Sequence, residues 1–206
     1  MAILKIGYKL FILLLGLLFL PLGVLIALLI LLTSGRPIFY RQRRIGKNGK
    51  QFVLYKFRTM KVGADKIQPS LAHLNEADGP VFKIRNDPRY TPLGRFLSHL
   101  GLDELPQLIN ILRGEMALVG PRPLPVVEAK KLKSWMRERE QILPGIISPA
   151  VVSGRYHQDF VSWMKSDLAY LSQKRFWYDT VLVLRTSRLL LKVFYQKTME
   201  SLSHRV

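Results

Sequence analysis

Two adjacent carboxylates, Asp103 and Glu104, stand in the segment Leu102-Asp103-Glu104-Leu105-Pro106-Gln107-Leu108. Around them the chain carries 32 lysines and arginines against 14 acidic residues, a formal net charge of +18 over 206 residues. An ionised carboxylate can attack phosphorus and form an acyl phosphate. A second carboxylate beside it can hold a divalent metal. Leu105, Leu108, Ile109 and Leu112 recur at helical spacing, so the pair falls at a helix start. Pro106 is tolerated in the first turn of such a helix, and the helix dipole there favours the anion. Adjacent helical side chains diverge by about 100°, so one carboxylate can face a reacting phosphate while the other faces a metal. A plainer reading fits the same residues: Asp103 as the N-cap and Glu104 as a first-turn charge.

The rest of the composition narrows the chemistry. There is no cysteine, so no disulfide framework and no thiolate metal site exists. The four histidines, His73, His99, His157 and His204, show no paired ligand spacing. A basic excess implies an anionic partner: nucleic acid, anionic lipid or a phosphorylated substrate. No groove-reading motif accompanies the charge, so nucleic acid is set aside.

The elements that must position the pair begin with a membrane segment. Leu10 to Leu32 is a run of 23 residues without a polar side chain. At about 1.5 Å per residue it is long enough for a hydrocarbon core of roughly 30 Å. It is too long for the apolar stretch of a signal peptide, and no small-x-small cleavage site follows. Pro21, between Gly16 and Gly23, removes a helical donor and marks a kink. Composition leaves a straight span and a re-entrant hairpin both open, since proline occurs in ordinary spans. Lys5 and Lys9 precede the run. Nine cations from Arg36 to Lys61 follow it before the first acidic residue, Asp65. By the positive-inside rule both ends would be cytoplasmic, which favours re-entry. Cations directly after the run would face anionic lipids.

The remaining 170 or so residues suffice for a core. Pro37 to Tyr40 and Gln51 to Met60, joined through Asn48-Gly49, read as a β-hairpin from which Lys56 and Arg58 project. Residues 63–92 read as loop, with turn signals at Asp78-Gly79-Pro80 and Asn86-Asp87-Pro88. An ordered element starts at Pro92. Val126 to Gln141 reads as one amphipathic helix, packed on the domain or lying in the headgroup layer. The tail from Phe176 to Phe194 mixes aromatics and leucines with Arg185, Arg188 and Lys192, which rule out an ordinary span.

Several stretches, in order, resemble the bacterial sugar transferases, the monotopic phosphoglycosyl transferases. They are Pro37 to Gln42, Tyr55-Lys56-Phe57-Arg58-Thr59-Met60, Asp78 to Lys83, Asp87-Pro88-Arg89, Leu102 to Leu108, Leu118-Val119-Gly120-Pro121-Arg122-Pro123 and Ser153-Gly154-Arg155. A tail pattern around Asp167, Tyr170, Trp177 and Asp179 completes the likeness. The resemblance implies transfer of a sugar 1-phosphate from a UDP-sugar to polyprenyl (undecaprenyl) phosphate, with UMP leaving, at the start of glycan or polysaccharide assembly. It implies Asp103 as nucleophile carrying the phosphosugar and Glu104 as the residue linked to Mg²⁺, with Asp103 beside it. It places Lys56 near the nucleophile, and Arg122, with Arg155 and Arg58, at substrate phosphates. A rigid Arg122 between two prolines suits bidentate phosphate contact. The location implied is the bacterial plasma membrane, with the catalytic domain on the cytoplasmic face.

The chain departs from that pattern. Ser98 stands where Arg is usual, and Gly101 where Ser is usual. Gly114-Glu115-Met116-Ala117 replaces Gly-Asp-Met-Ser. Ile147-Ser148-Pro149-Ala150-Val151-Val152 replaces a Thr-Gly-Leu-x-Gln-Val stretch. These changes touch recognition of sugar and nucleotide and leave Asp103, Lys56 and Arg122 in place. The expected fold is α+β, mainly α. Residues 1–36 form the membrane-embedded helix or hairpin. Residues 37–206 form a small cytoplasmic domain of interfacial helices with a β-hairpin. The expected function is phosphoglycosyl transfer. The alternative is a catalytically weak relative that scaffolds glycan assembly in the membrane.

Overall fold

A computed structural model describes residues 2–153 and 159–203, with side chains from 6 to 153 and from 159 to 196. Gly154 and Arg155 of the Ser153-Gly154-Arg155 motif, and His157 and His204, lie outside these limits.

Helix α1, Ala2–Ser34, is 33 residues long, about 50 Å at the usual helical rise. Pro21 lies inside it, and the helix continues on both sides, so the proline does not end the segment. One stripe of α1 packs on the domain. Ile12 is buried against Phe52, Leu54, Leu108, Ile111 and Met116. Ile26 and Ile30 are buried against Phe57 and Leu97. The opposite face, including Leu14, Leu18, Leu25 and Leu32, is exposed. Both ends are fastened to the same domain. Near the start, the Leu118 amide donates to Tyr8 Oη at 2.9 Å. At the other end Arg58 donates to the carbonyls of Arg36, Ser34 and Gly35 at 3.0, 2.7 and 2.8 Å. Gly35, with φ of +71°, takes the left-handed conformation that commonly ends a helix.

The hairpin forms, with its first strand at Phe39–Ile45 rather than Pro37 to Tyr40 and its second ending at Phe57 rather than Met60. Strand β1, Phe39–Ile45, pairs antiparallel with β2, Gln51–Phe57, with Tyr40 opposite Lys56 and Arg41 opposite Tyr55. Asn48 and Gly49 both carry positive φ in the connection. Phe52 and Leu54 point inward, and Arg41, Arg43 and Val53 outward. The free edge of β2 is covered by one side chain. Asn110, fully buried, accepts from the Tyr55 amide at 3.2 Å and donates to the Val53 carbonyl at 2.7 Å. It therefore pairs the strand as a neighbouring backbone would.

The segment after the hairpin is more ordered than its turn signals suggest. It holds a short helix α2, Ala64–Ile67, and a 3₁₀ turn at Pro69–Leu74. A buried ion pair, Arg89 to Asp87 at 2.6 Å, closes the Asp-Pro-Arg turn. Helix α3, Pro92–His99, starts where Thr91 accepts from the Gly94 amide at 2.9 Å. Helix α4, Leu108–Leu112, follows the carboxylate segment.

A second, parallel strand pair was not evident in the sequence. Strand β3, Ala117–Val119, pairs with β4, Gly145–Ile147. The chains approach so closely that a Cβ on Gly145 would strike the Gly120 nitrogen and the Val119 carbonyl carbon. Val126 to Gln141 is not one helix. It divides into α5, Val126–Ala129, and a 3₁₀ stretch, Ser134–Gln141. Ala129, Leu132 and Met136 sink into a core with Leu124, Phe160, Trp163 and Met164, so the segment packs on the domain. Helices α6, Pro149–Val152, α7, Phe160–Gln173, and α8, Phe176–Ser203, complete the chain. Along α8, Leu182 is buried, while Phe176, Trp177, Leu184, Leu191, Phe194 and Tyr195 are exposed. Among the described residues the architecture is mainly helical, with two small sheets and one helix apolar and long enough to cross a membrane.

Candidate active site

Gly101, at φ of +66°, turns the chain out of α3 and into a 3₁₀ turn, Leu102–Gln107. The N-cap is therefore Gly101, and the expectation of Asp103 as cap is corrected. Leu102 and Leu105 anchor one side of this turn among Ile26, Ile30 and Phe57, and Leu108 anchors the next against Ile12. The leucines face the core, and the two carboxylates face β2. Glu104 does stand in the first turn, where Lys56 and Arg122 pair it, and Asp103 beside it is only 4% exposed.

Four side chains meet there. Lys56 Nζ lies 2.6 Å from Glu104 Oε1 and 3.4 Å from Asp103 Oδ2. Arg122 Nη1 donates to the same Glu104 oxygen at 3.1 Å. The structure thus brings together residues from 56, 103–104 and 122. The loop bearing Arg122 is held from behind. Arg44 Nη1 donates to the Pro123 carbonyl at 2.7 Å, and Arg139 Nη2 to the Arg122 carbonyl at 2.6 Å.

The electrostatics separate the two acids. Burial works against charge on Glu104, but Lys56 and Arg122 outweigh it and hold the carboxyl down to about 2. Burial pushes Asp103 up, and the neighbouring Glu104 charge adds to it, against the pull of Lys56 and Arg122. Glu104 is thus the fixed anion, and Asp103 is the less solvated and more basic carboxylate. Desolvation, with Arg122 nearby, lowers Arg44 to about 10, and the same two causes lower Lys83. Cations desolvated beside one another favour an added anion.

Arg58 is placed elsewhere. Its guanidinium is occupied by three carbonyls at the end of α1, a capping task. Motif membership had suggested a phosphate contact. Asn110, Arg44 and Arg139 were not singled out in the sequence. Asn110 alone left a signal, a polar residue inside the apolar run Leu108 to Leu112. Of the departures, Ser98 bonds Tyr90 at 3.0 Å. Ile147 packs near Tyr170 and Leu182. Ser148 is buried with its hydroxyl unpartnered, and Val151 is half-buried on α6. Among the described residues no group of three or more His, Asp or Glu gathers as a metal centre.

A buried carboxylate, a second carboxylate beside it and two converging cations thus stand together next to a helix apolar and long enough to cross a membrane. The chain belongs to the bacterial sugar transferase family, whose profile matches residues 2–193. It is 39% identical over 159 residues to the galactosyl transferase CpsE of Streptococcus agalactiae, covering 77% of this chain and 35% of that protein. It is 38% identical over 178 residues to the exopolysaccharide production protein ExoY of Rhizobium meliloti, covering 82% of this chain and 77% of ExoY. It is 36% identical over 175 residues to the UDP-glucose:undecaprenyl-phosphate glucose-1-phosphate transferase of Escherichia coli, covering 81% of this chain and 35% of that enzyme. The chain thus spans about a third of the length of two of these relatives and about three quarters of ExoY.

Proposed function

We propose that this protein transfers a sugar 1-phosphate from a UDP-sugar to polyprenyl phosphate, through an acyl phosphate on Asp103. The observation that carries the reading is the buried Asp103–Glu104 pair, held by Lys56 and Arg122 against the membrane helix. Asp103 Oδ attacks the sugar-bearing phosphorus of the donor. The bond from that phosphorus to the UMP oxygen breaks, and UMP takes the electron pair. A phosphate oxygen of the polyprenyl phosphate then attacks the same phosphorus. The acyl phosphate bond breaks, Asp103 returns to carboxylate, and a polyprenyl diphosphate sugar leaves. Lys56 and Arg122 lower the charge that an anionic nucleophile meets at a diphosphate.

Two adjacent carboxylates suit Mg²⁺, which uses one or two carboxylates and completes its shell with water and substrate phosphates. Glu104, with Asp103 beside it, would hold the ion. Bound there, Mg²⁺ would neutralise diphosphate charge as a Lewis acid. Detergent-solubilised protein with undecaprenyl phosphate, Mg²⁺ and either UDP-glucose or UDP-galactose is expected to release UMP. Release from neither donor, nor from a wider panel of UDP-sugars, would leave the protein a scaffold.

The packing of α1, which runs unbroken through Pro21, favours both of its ends on one side of the membrane over a crossing. Tyr8 near its start and Ser34 at its end both bond the same domain, and a stripe between them is buried on it. A helix crossing the bilayer would carry Lys56 and the basic hairpin into hydrocarbon, at a cost of several kcal/mol per charge. Both ends of α1 therefore lie on one side, with its leucine face in the lipid. The exposed aromatics and leucines of α8, interleaved with Arg185, Arg188 and Lys192, suit an anionic headgroup layer. A cysteine at position 2 (Ala2→Cys) is expected to resist an impermeant maleimide in intact cells and to react after permeabilisation. Labelling in intact cells would show a crossing helix.

A further inference from the structure

Arg139 and Asp167 take no part in the transfer step, yet they are 5% and 0% exposed and form an ion pair of 2.7 Å. A buried ion pair is weak evidence of stabilisation, since apolar replacements often fold as well. What it touches is more informative. The same Arg139 nitrogen that meets Asp167 donates to the Arg122 carbonyl at 2.6 Å. The guanidinium also lies over the Trp163 ring, 5.8 Å from its centroid. Asp167 and Trp163 sit one turn apart on α7, so the helix fixes both supports of Arg139.

Helix α7 grips the same loop a second time. Tyr170, three residues beyond Asp167 and on the same face, places its hydroxyl 3.3 Å from the Val119 carbonyl while donating to Asp179 at 2.6 Å. Val119 ends β3, immediately before Gly120-Pro121-Arg122. The loop between these two grips is stiff. Prolines flank Arg122, and Gly120 is packed against the Leu143 carbonyl and the Gly145 nitrogen. Arg44 at the Pro123 carbonyl and backbone bonds at Gly120 and Pro121 hold the loop on either side of Arg122. Arg139 holds it at Arg122 itself, so its release lets that residue, and the guanidinium it carries, shift between the remaining holds.

We propose that Arg139 and Asp167 are a positioning pair: through the Arg122 carbonyl they set the aim of the Arg122 guanidinium at Glu104 and at the donor diphosphate. The inference rests on the assignment of Arg122 to the phosphate site. It also gives Asp167 and Tyr170, part of the tail pattern in the sequence, a task in the reaction.

The test is a double-mutant cycle on the full-length protein, reading UMP release and thermal melting. The paired replacement Arg139→Met with Asp167→Leu removes the charges and keeps the packing volume. It is expected to melt near wild type. Its kcat is expected to fall by about 10- to 10²-fold, the scale of a misplaced catalytic contact. In an Arg122→Ala background the same pair is expected to change kcat by less than about twofold, because the group it aims is gone. Asp167→Asn, which keeps the side-chain shape, is read in the same two backgrounds should the paired variant not fold. An equal loss with and without Arg122 overturns the proposal and makes the pair a general support of the fold, as does full activity in the wild-type background. If Arg122→Ala alone is as active as wild type, the assignment of Arg122 fails first, and the aim proposed here fails with it.

Discussion

Asp103→Asn is expected to abolish turnover, with a loss of at least about 10³-fold and, by analogy with other lost nucleophiles, as much as about 10⁶-fold. The amide keeps the shape of the side chain but cannot form an acyl phosphate. The fold is expected to survive. Lys56 keeps its shorter contact with Glu104 at 2.6 Å, and the turn is anchored by Leu102, Leu105 and Leu108 rather than by Asp103. Melting within a few degrees of wild type, together with absent UMP release, is the expected pair of results. Acid should mimic the variant. Burial raises the Asp103 carboxyl above the ordinary carboxylate range, so its reactive anion is lost as pH falls through that raised value. Wild-type activity is therefore expected to decline at higher pH than a solvent-exposed aspartate would give. Substantial turnover by Asp103→Asn would assign the residue to structure alone.

Lys56→Ala and Arg122→Ala are each expected to lower kcat by about 10²–10³-fold, the scale for removing one preorganised charge from a reacting centre. Lys47→Ala and Lys50→Ala, in the exposed hairpin connection, are expected to stay within about twofold of wild type. Lys56 carries the additional duty of neutralising both acids. Its loss should push the acid limb of the pH profile further upward, since Asp103 and Glu104 are then left with less positive charge. Rates at fixed Mg²⁺ across pH 5 to 9 would separate the two cations. Equal, small losses at all four positions would mean that the phosphate does not bind at this cluster.

The residues proposed to react stood out in the sequence more clearly than their supports. Asn48-Gly49 with alternating strands marked the hairpin, and the uninterrupted apolar run marked α1, because both signals are local. The Asp103-Glu104 pair stood out by its neighbours. Its local geometry did not, since Leu105, Leu108 and Leu112 are as compatible with a regular helix as with a 3₁₀ turn leading into one. Val126 to Gln141 misled for a related reason. Ala129, Leu132 and Met136 keep helical spacing, yet the chain breaks between Lys130 and Lys133 with no proline or glycine to announce it. Burying those three residues against Phe160 and Trp163 outweighed local propensity. Arg58 shares a motif with Lys56, and motif membership says nothing of direction. The strand ends at Phe57, and Arg58 turns to the carbonyls of α1. The Arg139–Asp167 pair and the three-residue strands β3 and β4 depend on contacts between distant parts of the chain, which no window of sequence contains.

The central claim is the covalent step, and intact-protein mass spectrometry measures it directly. Wild-type protein is incubated with UDP-sugar and Mg²⁺, without polyprenyl phosphate, and quenched rapidly. The account predicts one added phosphosugar, mapped to Asp103, released on adding undecaprenyl phosphate and absent from Asp103→Asn. Wild-type protein that turns over with acceptor present, never shows the added mass after rapid quenching, and loses little activity on Asp103→Asn would contradict it.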